Sequence, residues 1–233
     1  MPTNIIQKAS VSLADDIDRT QVSRRKFLRF AGAGSAAAVV LAACNKNDSS
    51  TTNNGVDLGS GDTGILNYAY ALEQLEAAFY TQVAMTPYTG ISDYEKMLLT
   101  DIRDHEIAHR EFFKTALGAG AIGGLEVNFS SIDFSSRSSV LETAKAFEDL
   151  GVSAYNGAGR LITSPDYLVL AGKIVSVEAR HAALIRDLLS NGSFADNTVI
   201  DANGLDMSRT PAQVLAIAKS FVKTNIDASR LPS

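Results

Sequence analysis

The chain has 233 residues, of which 45% are hydrophobic, with a single cysteine, no tryptophan and a formal net charge of −5. That length and apolar content suffice for one domain with its own core. The acidic balance argues against nucleic acid as a partner, and one cysteine excludes an intrachain disulfide framework. No glycine-rich phosphate loop or nucleotide fingerprint occurs.

Residues 1–44 read as an address, not as part of the fold. Ser23-Arg24-Arg25-Lys26-Phe27-Leu28-Arg29 resembles a twin-arginine export signal. An apolar run of small residues follows from Phe30 to Ala43, short for a permanent bilayer span. It ends in Leu41-Ala42-Ala43-Cys44, which resembles the lipobox of bacterial lipoproteins. On that reading Cys44 becomes the lipidated first residue of the mature protein, and the membrane is met only through it. No thiol then remains for a disulfide, a thiolate metal site or a nucleophile. The alternative is a plain N-terminal anchor with an incidental cysteine. The signal implies export in the folded state, with any metal loaded in the cytosol. The expected location is that of an exported, membrane-tethered lipoprotein facing the periplasm or cell exterior. Asn45 in place of Asp points to the outer membrane where the host has one. Residues 45–62, rich in Asn, Ser, Thr, Asp and Gly, read as a flexible tether. Removing residues 1–44 takes away six basic and three acidic side chains, which shifts the net charge from −5 to −8.

The remainder divides into a four-helix region, 63–190, and a C-terminal extension, 191–233. Leu66, Ala69, Leu72, Leu75, Phe79 and Val83 recur at helical spacing and predict a first helix from Thr63 to Met85, stopped by Pro87. A second helix is expected from Ser92 to Leu117, with Ser92 and Glu95 as a capping box. Gly118, Gly120, Gly123 and Gly124 stop it. A connector of about 20 residues with Phe129 and Phe134 reads as an extended segment pinned by aromatics, long enough to cross over along a bundle. The third helix is expected from Ser139 to Ile162, with Gly151, Gly157 and Gly159 permitting close approach or a kink. The fourth spans Pro165 to Leu189, stopped by Asn191-Gly192. Thr210-Pro211 opens a short helix, Ala212 to Val222, expected across one end of the bundle. No segment reads as a strand strong enough to build a sheet.

The chemistry sits on these helices. Glu106-Ile107-Ala108-His109 and Glu178-Ala179-Arg180-His181 are both Glu-x-x-His, and they hold two of the three histidines. Residues three apart share a helix face, so each pair aims a carboxylate and an imidazole at one spot. The first helix adds Glu73 and the third adds Glu148, each with a tyrosine seven residues on, Tyr80 and Tyr155, on the same face. The spacing from Glu to Glu-x-x-His is 33 residues in the first half and 30 in the second. The chain thus reads as two helix pairs of one design. Glu73, Glu106, His109, Glu148, Glu178 and His181 form the expected ligand set for two divalent ions, iron first and manganese next, with zinc possible. Glu76, one turn from Glu73, is the fallback ligand, or a residue beside the site. His105 points about 100° from Glu106, toward the surface or the rear of the site. Tyr80 and Tyr155 read as core residues with bonded hydroxyls, or as partners or one-electron donors beside the metals. Asp149 and Glu111 read as solvated or structural.

These residues resemble the ferritin-like superfamily, and most closely its bacterial ferritin-like domain group, which also takes in desiccation-related proteins. The resemblance rests on Leu72-Glu73-Gln74-Leu75-Glu76-Ala77-Ala78-Phe79-Tyr80, His105-Glu106 with His109, Phe147-Glu148-Asp149-Leu150-Gly151-Val152 with Tyr155, Glu178-Ala179-Arg180-His181-Ala182-Ala183 and the tail Thr210-Pro211-Ala212-Gln213-Val214-Leu215. It covers residues 62–223 and implies an all-α, ferritin-like four-helix bundle with a long crossover between the second and third helices and a short C-terminal helix. It also implies an iron or manganese centre that oxidises ferrous iron or consumes peroxide or dioxygen. The alternative is a non-enzymatic stress or desiccation protein of the cell envelope in which metal is structural or absent. The cysteine site of rubrerythrins is missing. A homo-oligomer is compatible with this group.

Overall fold

The computed structural model describes residues 55–233. The export signal, Cys44 and most of the tether read from the sequence therefore lie outside the described residues. Among the described residues no helix is long and apolar enough to cross a membrane.

Four long helices carry the fold: α1 (Gly61–Met85), α2 (Asp93–Leu117), α3 (Arg137–Gly159) and α4 (Pro165–Leu189). A 3-10 turn, Gly118–Gly120, follows α2, and a short helix α5 (Pro211–Ala218) lies in the C-terminal extension. α1 packs along α2, α3 packs along α4, and the two hairpins meet where α1 faces α3. This is the all-α bundle that the apolar periodicity predicts.

α1 is buried on nearly every side, with Ile65, Tyr68, Leu72, Leu75, Phe79 and Val83 in the core. Burying it so completely demands partners for its polar residues, and for Asn67 and Gln74 the crossover supplies them. Asn67 Nδ2 donates to the carbonyls of Leu58 and Gly120 at 3.0 and 2.9 Å, and its Oδ1 accepts from the Ile122 amide at 3.0 Å. Gln74 Oε1 accepts from the Leu125 amide at 2.9 Å. Phe129 and Phe134 then close over Phe79, each with ring centroids 6.0 Å away. The long connector is thus stapled to α1.

Several boundaries differ from the sequence reading. Ser92 caps α2 by accepting from the Glu95 amide, but the capping box is not completed. The Glu95 carboxylate is drawn off by the Tyr88 hydroxyl at 2.8 Å and the Arg137 guanidinium at 2.5 Å. α3 starts at Arg137, not Ser139, because Ser136 takes the cap from a run of competing serines. It ends at Gly159, where the chain tightens into i→i+3 bonds from Leu161 to Ala158 and Ile162 to Gly159. Asp62 fixes this corner by accepting from the amides of Thr163 and Ser164.

Part of the segment expected to be tether belongs to the fold. β1 (Val56–Asp57) pairs in parallel with β2 (Ile226–Asp227), and Leu58 is fully buried. The pairing is too short to read as a strand from sequence. α5 is closed by the Thr210–Gln213 capping box. The segment around it runs along the flank of α3 and not across a bundle end: the Arg209 amide donates to the Ser153 carbonyl at 2.9 Å, and Phe221 meets Phe147 edge-on at 4.8 Å. Gly157 makes this approach possible, since a Cβ there would lie 1.7 Å from the Arg209 carbonyl oxygen.

Candidate metal centre

The six side chains named from helical spacing converge between the four helices. Glu73 comes from α1, Glu106 and His109 from α2, Glu148 from α3, and Glu178 and His181 from α4. Their ligand atoms form two groups, Glu73–Glu106–His109–Glu178 and Glu106–Glu148–Glu178–His181, each with its atoms within 4.8 Å of one another. That is the span of a coordination shell around a single ion. Glu106 and Glu178 belong to both groups.

The contacts cross between hairpins. His109 Nδ1 lies 2.9 Å from Glu178 Oε1, 3.5 Å from Glu73 Oε2 and 3.7 Å from Glu106 Oε2. His181 Nδ1 lies 2.8 Å from Glu106 Oε1, 3.5 Å from Glu148 Oε2 and 3.8 Å from Glu178 Oε2. None of these short approaches has hydrogen-bond geometry. Among the described residues, every buried side-chain polar atom left without a hydrogen-bond partner belongs to these six residues, Tyr68 Oη excepted. A protein does not leave that many polar atoms buried and unpaired without something to satisfy them.

Tyrosine decides which oxygens remain free. The Tyr155 hydroxyl donates to Glu73 Oε1, and the Tyr80 hydroxyl donates to Glu148 Oε1 at 2.5 Å. Oε2 of each glutamate is left facing the centre. Each tyrosine therefore serves the glutamate of the other helix. Seven residues is about 10 Å along a helix, so a tyrosine cannot reach its own glutamate and can reach only across.

Glu76 is also buried, at 4% exposure, but it belongs to neither ligand group. Its Oε1 fills the space left by the missing side chain of Gly151, where a Cβ would stand 3.1 Å away. His105 is exposed, and its Nδ1 meets His181 Nε2 at 2.9 Å. Asp149 is structural: it takes both ends of the Arg186 guanidinium, at 2.8 and 2.7 Å. Arg186 also reaches Asp196 and Thr198, which ties the C-terminal extension to α3 and α4. Glu111 is bound by its neighbour Arg110 on the surface. The contacts of Asp149 and His105 join residues far apart in the chain, and nothing in the local pattern announces them.

Electrostatics shows what so many buried carboxylates do to one another. Burial, reinforced by neighbouring carboxylates, pushes Glu73 and Glu76 well above the usual range, and burial lifts Glu148 to about 8 despite His181. Burial works in the same direction on Glu106, but His109 and His181 outweigh it and hold it at about 2. Burial opposes a charge on either histidine, yet Glu106, Glu178 and Glu73 raise His109 to about 12, and Glu106, Glu148 and Glu178 do the same for His181. The site thus keeps protons among its crowded carboxylates and imidazoles. Burial and the bound glutamates also hold the Tyr80 and Tyr155 hydroxyls protonated.

A four-helix bundle with one Glu from each of two helices and Glu-x-x-His from the other two defines a class of buried carboxylate–histidine proteins. A family model described as a ferritin-like domain matches residues 61–191, more than half of the chain. The chain belongs to that ferritin-like domain family. None of the curated proteins matches it significantly.

Proposed function

We propose that this protein holds a pair of divalent ions, iron first and manganese next, and uses them at the cell envelope to oxidise ferrous iron or to consume peroxide or dioxygen. The observation that carries this reading is the set of unpaired buried atoms, which point inward from four helices. Four carboxylate ligands offset the charge of two divalent ions, and the two imidazoles bind as neutral groups. No thiolate stands in the cluster to favour a softer metal.

Glu73 with His109 and Glu148 with His181 would each hold one ion, and Glu106 and Glu178, which stand in both groups, would be available to either. When bound, such a pair supplies one-electron steps and open positions for an oxygen species. The protein contributes the rest. Tyr80 and Tyr155 keep Glu148 and Glu73 to a single free oxygen. The packed faces of α1 and α3 exclude water from their side of the site. Glu76, held protonated by burial and by neighbouring carboxylates that include Glu178, is placed to hold a proton beside the site.

Export through the twin-arginine signal and tethering through Cys44 place this chemistry outside the cytoplasm. A second reading, in which metal only staples the bundle of a stress or desiccation protein, uses the same ligands. One experiment separates the two. The full chain is loaded with iron or manganese, its metal content is measured, and ferrous iron or peroxide is added under air. Bound metal with turnover supports the redox reading, bound metal without turnover supports a structural metal, and no bound metal removes the redox reading and leaves a stress or desiccation protein that works without metal.

A further inference from the structure

The two ion positions share their ligands but not their outer surroundings. His105 stands behind His181, and its counterpart in the other hairpin, the residue before Glu178, is Val177. The two imidazoles are nearly parallel, 9° apart, with centroids 5.2 Å apart and nitrogens 2.9 Å apart. The difference between those distances is the sum of the two ring radii. The nitrogens therefore lie on the line joining the ring centres, and the contact is an in-plane, end-to-end hydrogen bond. A face-to-face stack would bring the centroids closer than this.

That geometry fixes the tautomer. If Nδ1 of His181 presents a lone pair to the centre, its proton must sit on Nε2. Nε2–H then donates to His105 Nδ1, and the far nitrogen of the exposed His105 keeps its own proton toward water. His109 has no such support: among the described residues no hydrogen-bond partner stands at its outer nitrogen, and its side chain is 13% exposed against 5% for His181. A ligand imidazole whose remote nitrogen is held needs no reorientation and no tautomer change when an ion binds.

We infer that His105 is a positioning residue which presets the His181 ring, so that the position held by His181 and Glu148 fills first and more tightly than the one held by His109 and Glu73. The inference rests on the metal-centre reading above. It makes the centre asymmetric, with the tight position on the side of an exposed imidazole.

The test is anaerobic titration of the full, chelator-stripped chain with Mn(II) or Co(II), followed by calorimetry and, for Co(II), by ligand-field absorption. Wild-type protein is expected to bind in two resolved steps. H105A is expected to weaken the tighter step about tenfold or more, as loss of the group behind a histidine ligand does, and to leave the other nearly unchanged. H105Q, whose side-chain carbonyl can accept the same proton, is expected to recover part of that loss. Metal-free H105A should keep the wild-type helical content and a cooperative melt, because His105 itself is exposed. Two ions bound with H105A titrating like wild type would overturn this inference alone, as would equal weakening of both steps. A wild-type chain that binds neither metal would overturn the metal-centre reading and this inference with it.

Discussion

The hairpins α1–α2 and α3–α4 repeat one arrangement, yet they are not copies. Each gives a glutamate, a tyrosine seven residues on and a Glu-x-x-His, and each tyrosine binds the glutamate of the other hairpin. The repeat breaks at two places beside the site. Glu76 in α1 faces Gly151 in α3, and His105 in α2 corresponds to Val177 in α4. The hairpins also differ in what covers them: the crossover is stapled to α1, while the C-terminal extension lies along α3. The glutamates and histidines follow the two-fold, with one hairpin's Glu and His in each group and Glu106 and Glu178 in both. The surroundings depart from it because each hairpin has its own neighbours.

The largest expected effect tests the shared part. Glu106 and Glu178 stand in both ligand groups, so E106A and E178A should each drop bound metal from two ions per chain to at most one weakly held ion, by elemental analysis after desalting. A variant of either that retains two ions would break the two-fold. The next effect concerns pH. Glu73, Glu76 and Glu148 hold protons in the folded metal-free protein that the unfolded chain releases near 4.5, with Glu148 holding its proton to about 8. Above 6.5 His109 and His181 act in the same direction, since they stay charged to about 12. The stability from these groups is complete below their unfolded values and is lost as pH rises. Glu106, held at about 2, contributes stability that is lost only as pH falls below its unfolded value of 4.5. The metal-free melting temperature should therefore fall from pH 5 to pH 8, while metal binding, which releases these protons, strengthens. A metal-free melting temperature that rises across this window would contradict the site electrostatics.

Two smaller effects sharpen the contrast between hairpins. G157A drives a methyl into the Arg209 backbone and should cost on the order of 3 kcal/mol in chemical denaturation. G172A, in open space on α4, should instead stabilise by roughly 0.5–1 kcal/mol. Y80F and Y155F each strip one hydrogen bond from a buried glutamate and should cost about 1–3 kcal/mol apiece in the metal-free protein. Equal losses sustain the exchange of partners across the two-fold, and losses that differ several-fold break it.

Local periodicity carried much of this into the sequence. Glu106 with His109 and Glu178 with His181 lie three residues apart, and helix geometry alone puts each pair on one face. The apolar stripes of the long helices were readable for the same reason. What periodicity could not carry was any contact whose partner lies far along the chain. The Glu95 carboxylate left its own cap for Tyr88 and Arg137, a competition decided by packing. Val56–Asp57 forms a strand by pairing with Ile226–Asp227, about 170 residues further along the chain. The serines before α3 offered several caps of similar strength, and tertiary structure chose Ser136. Gly151 and Gly157 look alike in sequence, but one makes room for a carboxylate and the other for a passing backbone.

The central claim is that six side chains from four helices hold two ions. The most direct measurement is the number of Fe(II) or Mn(II) ions retained per full-length chain after anaerobic loading and desalting, taken for wild type, E106A and E76Q. Two ions for wild type, one or fewer for E106A and two for E76Q are expected. A wild-type chain that retains none, or an E106A chain that retains two, would contradict it.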